Sequence, residues 1–223
     1  MDLSVNEAQG MVPDSPIAQY EIGGGRNFVY LILDGSTRRA AIVDPQRDLD
    51  GVLADLARAG FLLEKILLTH THHDHIAGVN PLLERLPELE VWVGEPDAYR
   101  LPDGIQPRFF ADGGELRVGS IRVETLHTPG HTEGGFCLWM RDLTPPVLLT
   151  GDLVFIGDCG RTDLPGGDDA RMYESLQRLK RLRPETVLGV GHHYAKECWT
   201  TLQRELRESP PFLCRSIEEL ARL

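Results

Sequence analysis

From residue 27 onward, short apolar runs alternate with polar breaks, and the spacing inside each run predicts what it forms. Asn27 to Leu33 and Arg39 to Val43 are rich in β-branched and apolar residues and flank Asp34-Gly35-Ser36, so they read as a hairpin that Asp44-Pro45 closes. Leu49 to Ala59 sets Val52, Leu53, Leu56 and Ala59 at helical spacing, with Gly60 as a stop, and predicts an amphipathic helix. Lys65 to Thr69 is a continuous apolar run too short for a helix. It predicts a buried strand that delivers the chain into His70-Thr71-His72-His73-Asp74-His75, a loop at a strand end.

Asn80 to Leu86 returns to helical spacing and Glu90 to Val93 to strand. Arg108 to Phe110, Glu115 to Val118 and Ser120 to Leu126 form further strands, with Gly113-Gly114 and Gly119 as turns. The second half repeats the idea. Strands at Gly135 to Met140 and Val147 to Leu149 lead to the loop Thr150-Gly151-Asp152; a helix at Ala170 to Leu182 and a strand at Thr186 to Val190 lead to Gly191-His192-His193. Residues 197–223 are expected to form short helices, at Leu202 to Leu206 and Ile217 to Leu223, and residues 1–16 a flexible start, within a single domain spanning 1–223. Strands and helices mixed in two similar halves predict two sheets packed face to face and covered by helices.

Composition narrows the partners. A 41% hydrophobic content is ordinary for a chain with a real core, and a formal charge of −11 repels phosphate backbones and anionic lipid. Neither nucleic acid nor membrane is expected as a partner; a small molecule is. The basic residues of Arg178 to Arg183 alternate with Leu179 and Leu182, which reads as the solvated face of a helix. Cys137, Cys159, Cys198 and Cys214 are spaced too irregularly for a disulfide framework or a paired-cysteine zinc site. With no secretory pattern at Met1 to Pro16 and no apolar run near the roughly 18 residues of a membrane span, the expected compartment is the cytoplasm.

The histidines change the picture. All eight fall in three clusters: His70, His72, His73 and His75; His127 and His131; His192 and His193. Imidazole and carboxylate donors suit zinc, iron or manganese, and a ring nitrogen must reach about 2.0–2.1 Å from a zinc ion, which calls for donors fixed on rigid strand ends. In an extended loop, residues two apart point the same way, so His70 and His72 can grip one ion while Asp74 and His75 face a second.

His70-Thr71-His72-His73-Asp74-His75, preceded by Thr69, resembles the signature motif of the metallo-β-lactamase superfamily. Thr128-Pro129-Gly130-His131-Thr132, Thr150-Gly151-Asp152 and Gly191-His192 resemble its later motifs in order. The resemblance covers roughly Asn27 to Tyr194 and implies a four-layer αββα sandwich. It implies one metal held by His70, His72 and His131, a second held by Asp74, His75 and His192, and Asp152 bridging both. His73 and His127 match no ligand position, and His193 is read as structural. Two divalent ions, taken as zinc with iron or manganese as alternatives, share a hydroxide that attacks a carbonyl, with Asp74 and Asp152 as the catalytic carboxylates.

Which chemistry the fold hosts depends on what surrounds the metals. Ala40-Ala41-Ile42-Val43-Asp44-Pro45 and Gly191-His192-His193-Tyr194 resemble glyoxalase II, a thioesterase that cleaves S-2-hydroxyacylglutathione and whose usual form adds a C-terminal helical domain. Cys159-Gly160-Arg161-Thr162-Asp163 also resembles persulfide dioxygenases, which oxidise glutathione persulfide at one Fe2+; its ligands would be His70, His131 and Asp152. Against that second family stand His73, where it carries alanine, and Ala195, where it carries glycine. A thiol-conjugate thioesterase is the leading expectation, the dioxygenase the second, and another hydrolase of the fold, such as a lactonase or acyl-carrier thioesterase, the third. Arg161 is a candidate anchor for a substrate carboxylate, weighed against a salt bridge with Asp163 or Asp168, and Tyr194 a candidate hydrogen-bond donor to substrate. Cys159 is read as a small turn residue. A homodimer is compatible with the chain.

Overall fold

Strands covered on both faces read as unbroken apolar runs, and the first half of the chain is built around such strands. The computed structural model describes Gln9, Gly10 and residues 16–223. In chain order the first half forms β1 (Gln9–Gly10), β2 (Ile17–Ile22), β3 (Asn27–Asp34), β4 (Arg39–Val43), α1 (Asp50–Arg58) and β5 (Leu62–Leu67). It continues through α2 (His73–Ile76), α3 (Val79–Arg85), β6 (Glu90–Val93), a 3-10 turn at Glu95–Arg100 and β7 (Arg108–Phe109). These seven strands make one sheet in sequence order, antiparallel from β1 to β4 and parallel from β4 to β7.

The second half forms β8 (Gly114–Val118), β9 (Ile121–His127), β10 (Phe136–Met140), β11 (Val147–Gly151), the small hairpin β12 (Val154–Phe155) and β13 (Asp158–Cys159), and α4 (Asp169–Leu179). Then come β14 (Val187–Val190), β15 (Thr200–Thr201), α5 (Leu202–Glu208), α6 (Pro210–Leu213) and α7 (Ile217–Leu220). The second sheet has six strands in the order β15-β14-β11-β10-β9-β8. Because β9 and β11 are each antiparallel to β10, and β14 is parallel to β11, the strands β9, β11 and β14 all end at one edge.

Three buried clusters separate four layers, the expected αββα sandwich. β3 shows the division: Val29, Leu31 and Leu33 pack with Val52 and Leu56 of α1 and Val79 and Leu82 of α3, while Phe28, Tyr30 and Ile32 face the other sheet. There they meet Val118, Val123, Leu138, Met140 and Leu149. The outer face of the second sheet, including Leu126, Leu148 and Leu188, is covered by Met172, Leu176 and Leu179 of α4 and by Leu202, Phe212 and Leu220 of the C-terminal helices. No helix among the described residues is long and apolar enough to cross a membrane.

The differences from the sequence reading have physical reasons. β2 was not expected because Gln19 and Glu21 interrupt its apolar pattern, yet Gln19 is buried, donating through Nε2 to Tyr30 Oη and the Cys198 carbonyl. β5 starts at Leu62 rather than Lys65, since Glu64 is paired across the sheet with Arg39 at 2.7 Å. Beyond Leu67 the chain leaves strand geometry, and His73–Ile76 closes a helical turn in place of an extended loop. The flexible start expected for residues 1–16 lies outside the described residues, apart from Gln9–Gly10, which pair with Tyr20 and Gln19, and Pro16.

Asp34, at the end of β3, pins the two sheets together. Its buried carboxylate accepts from Ser36 N and Oγ, from Thr37 Oγ1 at 2.6 Å and, across the sandwich, from Ser120 N at 2.6 Å in the β8–β9 turn. Burial alone would raise its pKa, but these donors hold it well below the ordinary carboxylate range. A depressed native pKa stabilises above the unfolded value of about 4 and is lost as pH falls below it. Asp34→Asn is expected to lower the unfolding free energy at neutral pH by about 1–3 kcal/mol. In urea titrations the difference from wild type should shrink as pH drops below 4; a pH-independent difference would contradict this role.

Candidate metal centre

The edge where β9, β11 and β14 end, together with the end of β5, brings the candidate donors to one place. β5 leads through Leu68-Thr69 into His70 and His72; β9 leads to His131; β11 to Asp152; β14 to His192. Backbone bonds lock these ends to each other. Phe136 N donates to the Thr69 carbonyl at 2.8 Å, Gly191 N to the Gly151 carbonyl at 2.9 Å, and Phe28 N to the Gly191 carbonyl at 2.8 Å. The β11–β14 register shifts between Leu149 and Gly151, and Gly151 takes a φ of +51° with Thr69 Oγ1 only 2.2 Å from where a Cβ would stand. Only glycine fits, and the bend turns Asp152 inward.

All seven expected ligands converge. His70, His72 and His131 form one group and Asp74, His75 and His192 another, each with donor atoms within 4.8 Å of one another. His72 Nδ1 lies 2.8 Å from His131 Nε2, and His75 Nε2 lies 3.2 Å from His192 Nε2. Asp152 stands between the groups. Its carboxylate is 3.9 Å from His70 Nε2 and 3.6 Å from His131 Nε2 on one side, and 3.4 Å from His75 Nε2 and 3.3 Å from His192 Nε2 on the other. Asp74 Oδ2 is 3.3 Å from His192 Nε2.

A set of outer hydrogen bonds decides which ring nitrogen points inward. His131 Nδ1 donates to the Arg161 carbonyl at 2.7 Å, and His192 Nδ1 to the Gly25 carbonyl at 2.8 Å. His75 Nδ1 donates to Asp44 Oδ2 at 3.1 Å. The Thr69 hydroxyl gives its one proton to Asp44 Oδ2 at 2.5 Å, so at 3.1 Å it accepts from His70 Nδ1. Each of these four rings therefore turns Nε2 toward the centre. Asp44 also groups with His70 and His75 as a possible donor set. Its carboxylate, however, is already engaged by Thr69 N, Thr69 Oγ1 and His75 Nδ1, which makes it an orienting group. Asn27 Nδ2 orients Asp74 by donating to its Oδ2 at 2.8 Å.

The electrostatics divide along the same line. Burial pushes His70 well below the ordinary imidazole value, lowers His131, and takes His72 down to about 4, so the first group is three neutral rings with converging lone pairs. In the second group burial is outweighed by carboxylates. Asp152 and Asp44 raise His75 well above its usual value, and Asp152 and Asp74 raise His192 to about 9. The carboxyl of Asp152 is held well below its usual range by His75 and His192 against the effect of burial, and that of Asp74 is lowered by His192, His75 and Asn27. Of the eight buried side-chain polar atoms without a hydrogen-bond partner among the described residues, two, His70 Nε2 and Asp152 Oδ1, belong to this centre. Such orphans are costly unless a cation answers them, so the donor set fits divalent ions.

The remaining candidates lie at the rim or outside. Tyr194 is 63% exposed and stacks on His192 with ring centroids 4.7 Å apart. Arg161 touches the centre through its carbonyl; its guanidinium points outward and is held in a two-bond fork by Asp163, at 2.9 and 2.8 Å, the salt bridge weighed above. His73 is exposed, His127 Nε2 lies 3.0 Å from the Glu133 carbonyl, and His193 Nδ1 lies 2.5 Å from Glu21 Oε2, so none joins the centre. Cys159, read from the sequence as a turn residue, instead lies in β13, paired with Val154, and burial pushes its thiol up to about 12. The orienting residues Asn27, Asp44 and Thr69 were not singled out from sequence. The available signals were the placement of Asp44 at the end of an apolar run and of Thr69 directly before the histidine motif.

Comparison with known proteins agrees with the geometry. Residues 22–192 match the family model of the metallo-beta-lactamase superfamily. A hydroxyacylglutathione hydrolase from a Synechococcus strain is 36% identical over 172 residues, covering 75% of this chain and 65% of that protein. The match thus spans just under two thirds of that relative's length. ETHE1 from Myxococcus xanthus superposes with a TM-score of 0.83 at 30% identity, covering 92% of this chain and 88% of that one. TTHA1623 in a di-iron-bound form superposes with a TM-score of 0.74 at 32% identity, covering 86% and 98% respectively.

Chelator-treated protein is expected to take up two equivalents of divalent ion, and His131→Ala and His192→Ala one each, measured by elemental analysis after gel filtration. Two retained equivalents in both variants would contradict the assignment.

Proposed function

The chain belongs to the metallo-β-lactamase superfamily, and from that premise we propose that it hydrolyses a glutathione-type thioester. Two divalent ions, taken as zinc, would be held by His70, His72 and His131 and by Asp74, His75 and His192, with Asp152 shared. The observation that carries this reading is the position of Asp152, within 4 Å of histidines from both groups. The hydroxyacylglutathione hydrolase relatives support the substrate class. When bound, such ions supply a nucleophile from water at neutral pH and polarise a carbonyl.

The chain's own groups do the rest. Asp74 and Asp152, both kept ionised, accept hydrogen bonds from the attacking water and so orient it. Tyr194, exposed above His192, offers its hydroxyl to the carbonyl or thiol portion of the substrate. A substrate carboxylate would have to compete with Asp163 for the Arg161 fork. The small, net acidic chain favours a small-molecule thiol conjugate over nucleic acid or membrane, and the cytoplasm is the proposed compartment.

A second reading, oxidation of glutathione persulfide at one Fe2+ on His70, His131 and Asp152, is favoured by the structural match to ETHE1, which extends over 88% of that chain. Oxygen consumption separates the two. Zinc-loaded protein is expected to release thiol from S-2-hydroxyacylglutathione, and iron-loaded protein to take up no oxygen when given glutathione persulfide. His131→Ala should lower kcat/KM by more than about 100-fold. Rapid oxygen uptake, abolished in His131→Ala, would replace the hydrolase with the dioxygenase.

A further inference from the structure

Asp97 lies in the 3-10 turn at Glu95–Arg100, outside every motif, and is only 1% exposed. A carboxylate buried this deeply is costly unless donors surround it, and where only stability is at stake an apolar side chain serves as well. Its donors are specific. Thr132 Oγ1 donates to Oδ2 at 2.7 Å, Gly134 N donates to Oδ1 at 2.9 Å, and Thr71 Oγ1 donates to the Asp97 carbonyl at 2.9 Å. Arg100 Nη1, at 3.8 Å from Oδ1, adds a longer ion pair.

Thr71 stands between His70 and His72, and Thr132 directly follows His131. Every histidine of the first group is thus a sequence neighbour of a residue bonded to Asp97. The second group has other supports, in Asp44, Asn27 and the Gly25 carbonyl. Backbone packing shows how closely the turn and the His131 loop are fitted. A Cβ at Gly134 would lie 2.7 Å from Asp97 N, and one at Gly94 would lie 2.0 Å from the Gly134 carbonyl oxygen. We propose that Asp97 is a positioning residue that sets the geometry of the first metal site by joining the two loops that supply its three histidines.

This inference rests on reading His70, His72 and His131 as metal ligands, and the test separates the two claims. Metal-free wild type, Asp97→Asn, Thr132→Val and Thr132→Ser are titrated with Co(II), following visible absorption and heat, with His131→Ala and His192→Ala marking the signal of each place. Apo thermal stability is recorded alongside. Asp97→Asn and Thr132→Val are expected to weaken the first place by about 10- to 100-fold, the usual effect of losing an outer partner of a ligand, and to alter its Co(II) spectrum. The second place should be unchanged, and Thr132→Ser, which keeps the hydroxyl, should bind like wild type. Wild-type affinity at the first place in Asp97→Asn would overturn the proposal. So would equal weakening of both places together with a lowered apo melting temperature, the mark of a merely structural role. If Asp97→Asn does not fold, Thr132→Val against Thr132→Ser decides by the same criteria. Failure of His131→Ala to change the titration would instead overturn the metal reading itself.

Discussion

The centre depends on a single buried carboxylate that binds nothing from outside. Asp44, at a φ of +50° just beyond β4, accepts from Thr69 N, Thr69 Oγ1 and His75 Nδ1. Because the Thr69 hydroxyl has one proton and gives it to Asp44, it can only accept from His70. One side chain thereby fixes the inward nitrogen of a histidine in each group. Without it, both rings would be free to turn the wrong atom to the centre, and a metal site needs its donors placed to within a few tenths of an ångström.

The sandwich supplies the rigidity this requires. Three apolar cores hold two sheets and their covering helices, and three parallel strand ends of the second sheet meet the end of β5 at one edge. Functional side chains sit on the first residues past those ends, where the backbone is still tied by hydrogen bonds across the sheets. Fold stability gains nothing from gathering so many titratable groups there. The three lowered imidazoles and the orphaned atoms of His70 and Asp152 are tolerated because a cation would satisfy them.

Much of this was legible in the sequence because it follows from spacing. Unbroken apolar runs gave β3, β4 and β14, and the motif order gave all seven converging donors. What escaped is what spacing does not encode. Gln19 looks like a break in a strand until its amide is seen bonded to Tyr30. Asp44 and Asp97 are single acidic residues whose partners are distant in the chain, so no local pattern marks them as buried. The loop geometry assumed for residues 70–75 held for His70 and His72, while His73–Ile76 winds into a helical turn. Arg161 read equally well as a substrate anchor or a salt bridge, and its geometry is that of the salt bridge.

The two chemistries considered share almost every residue and differ in how many ions are held and which. The number and position of ions is therefore the central claim. Anomalous X-ray scattering at the metal edge, from crystals of protein purified without chelator, measures both directly. Two peaks are expected, one among His70, His72 and His131 and one among Asp74, His75 and His192, with Asp152 between them. A single peak on His70, His131 and Asp152, or none near Asp152, would contradict the two-ion centre.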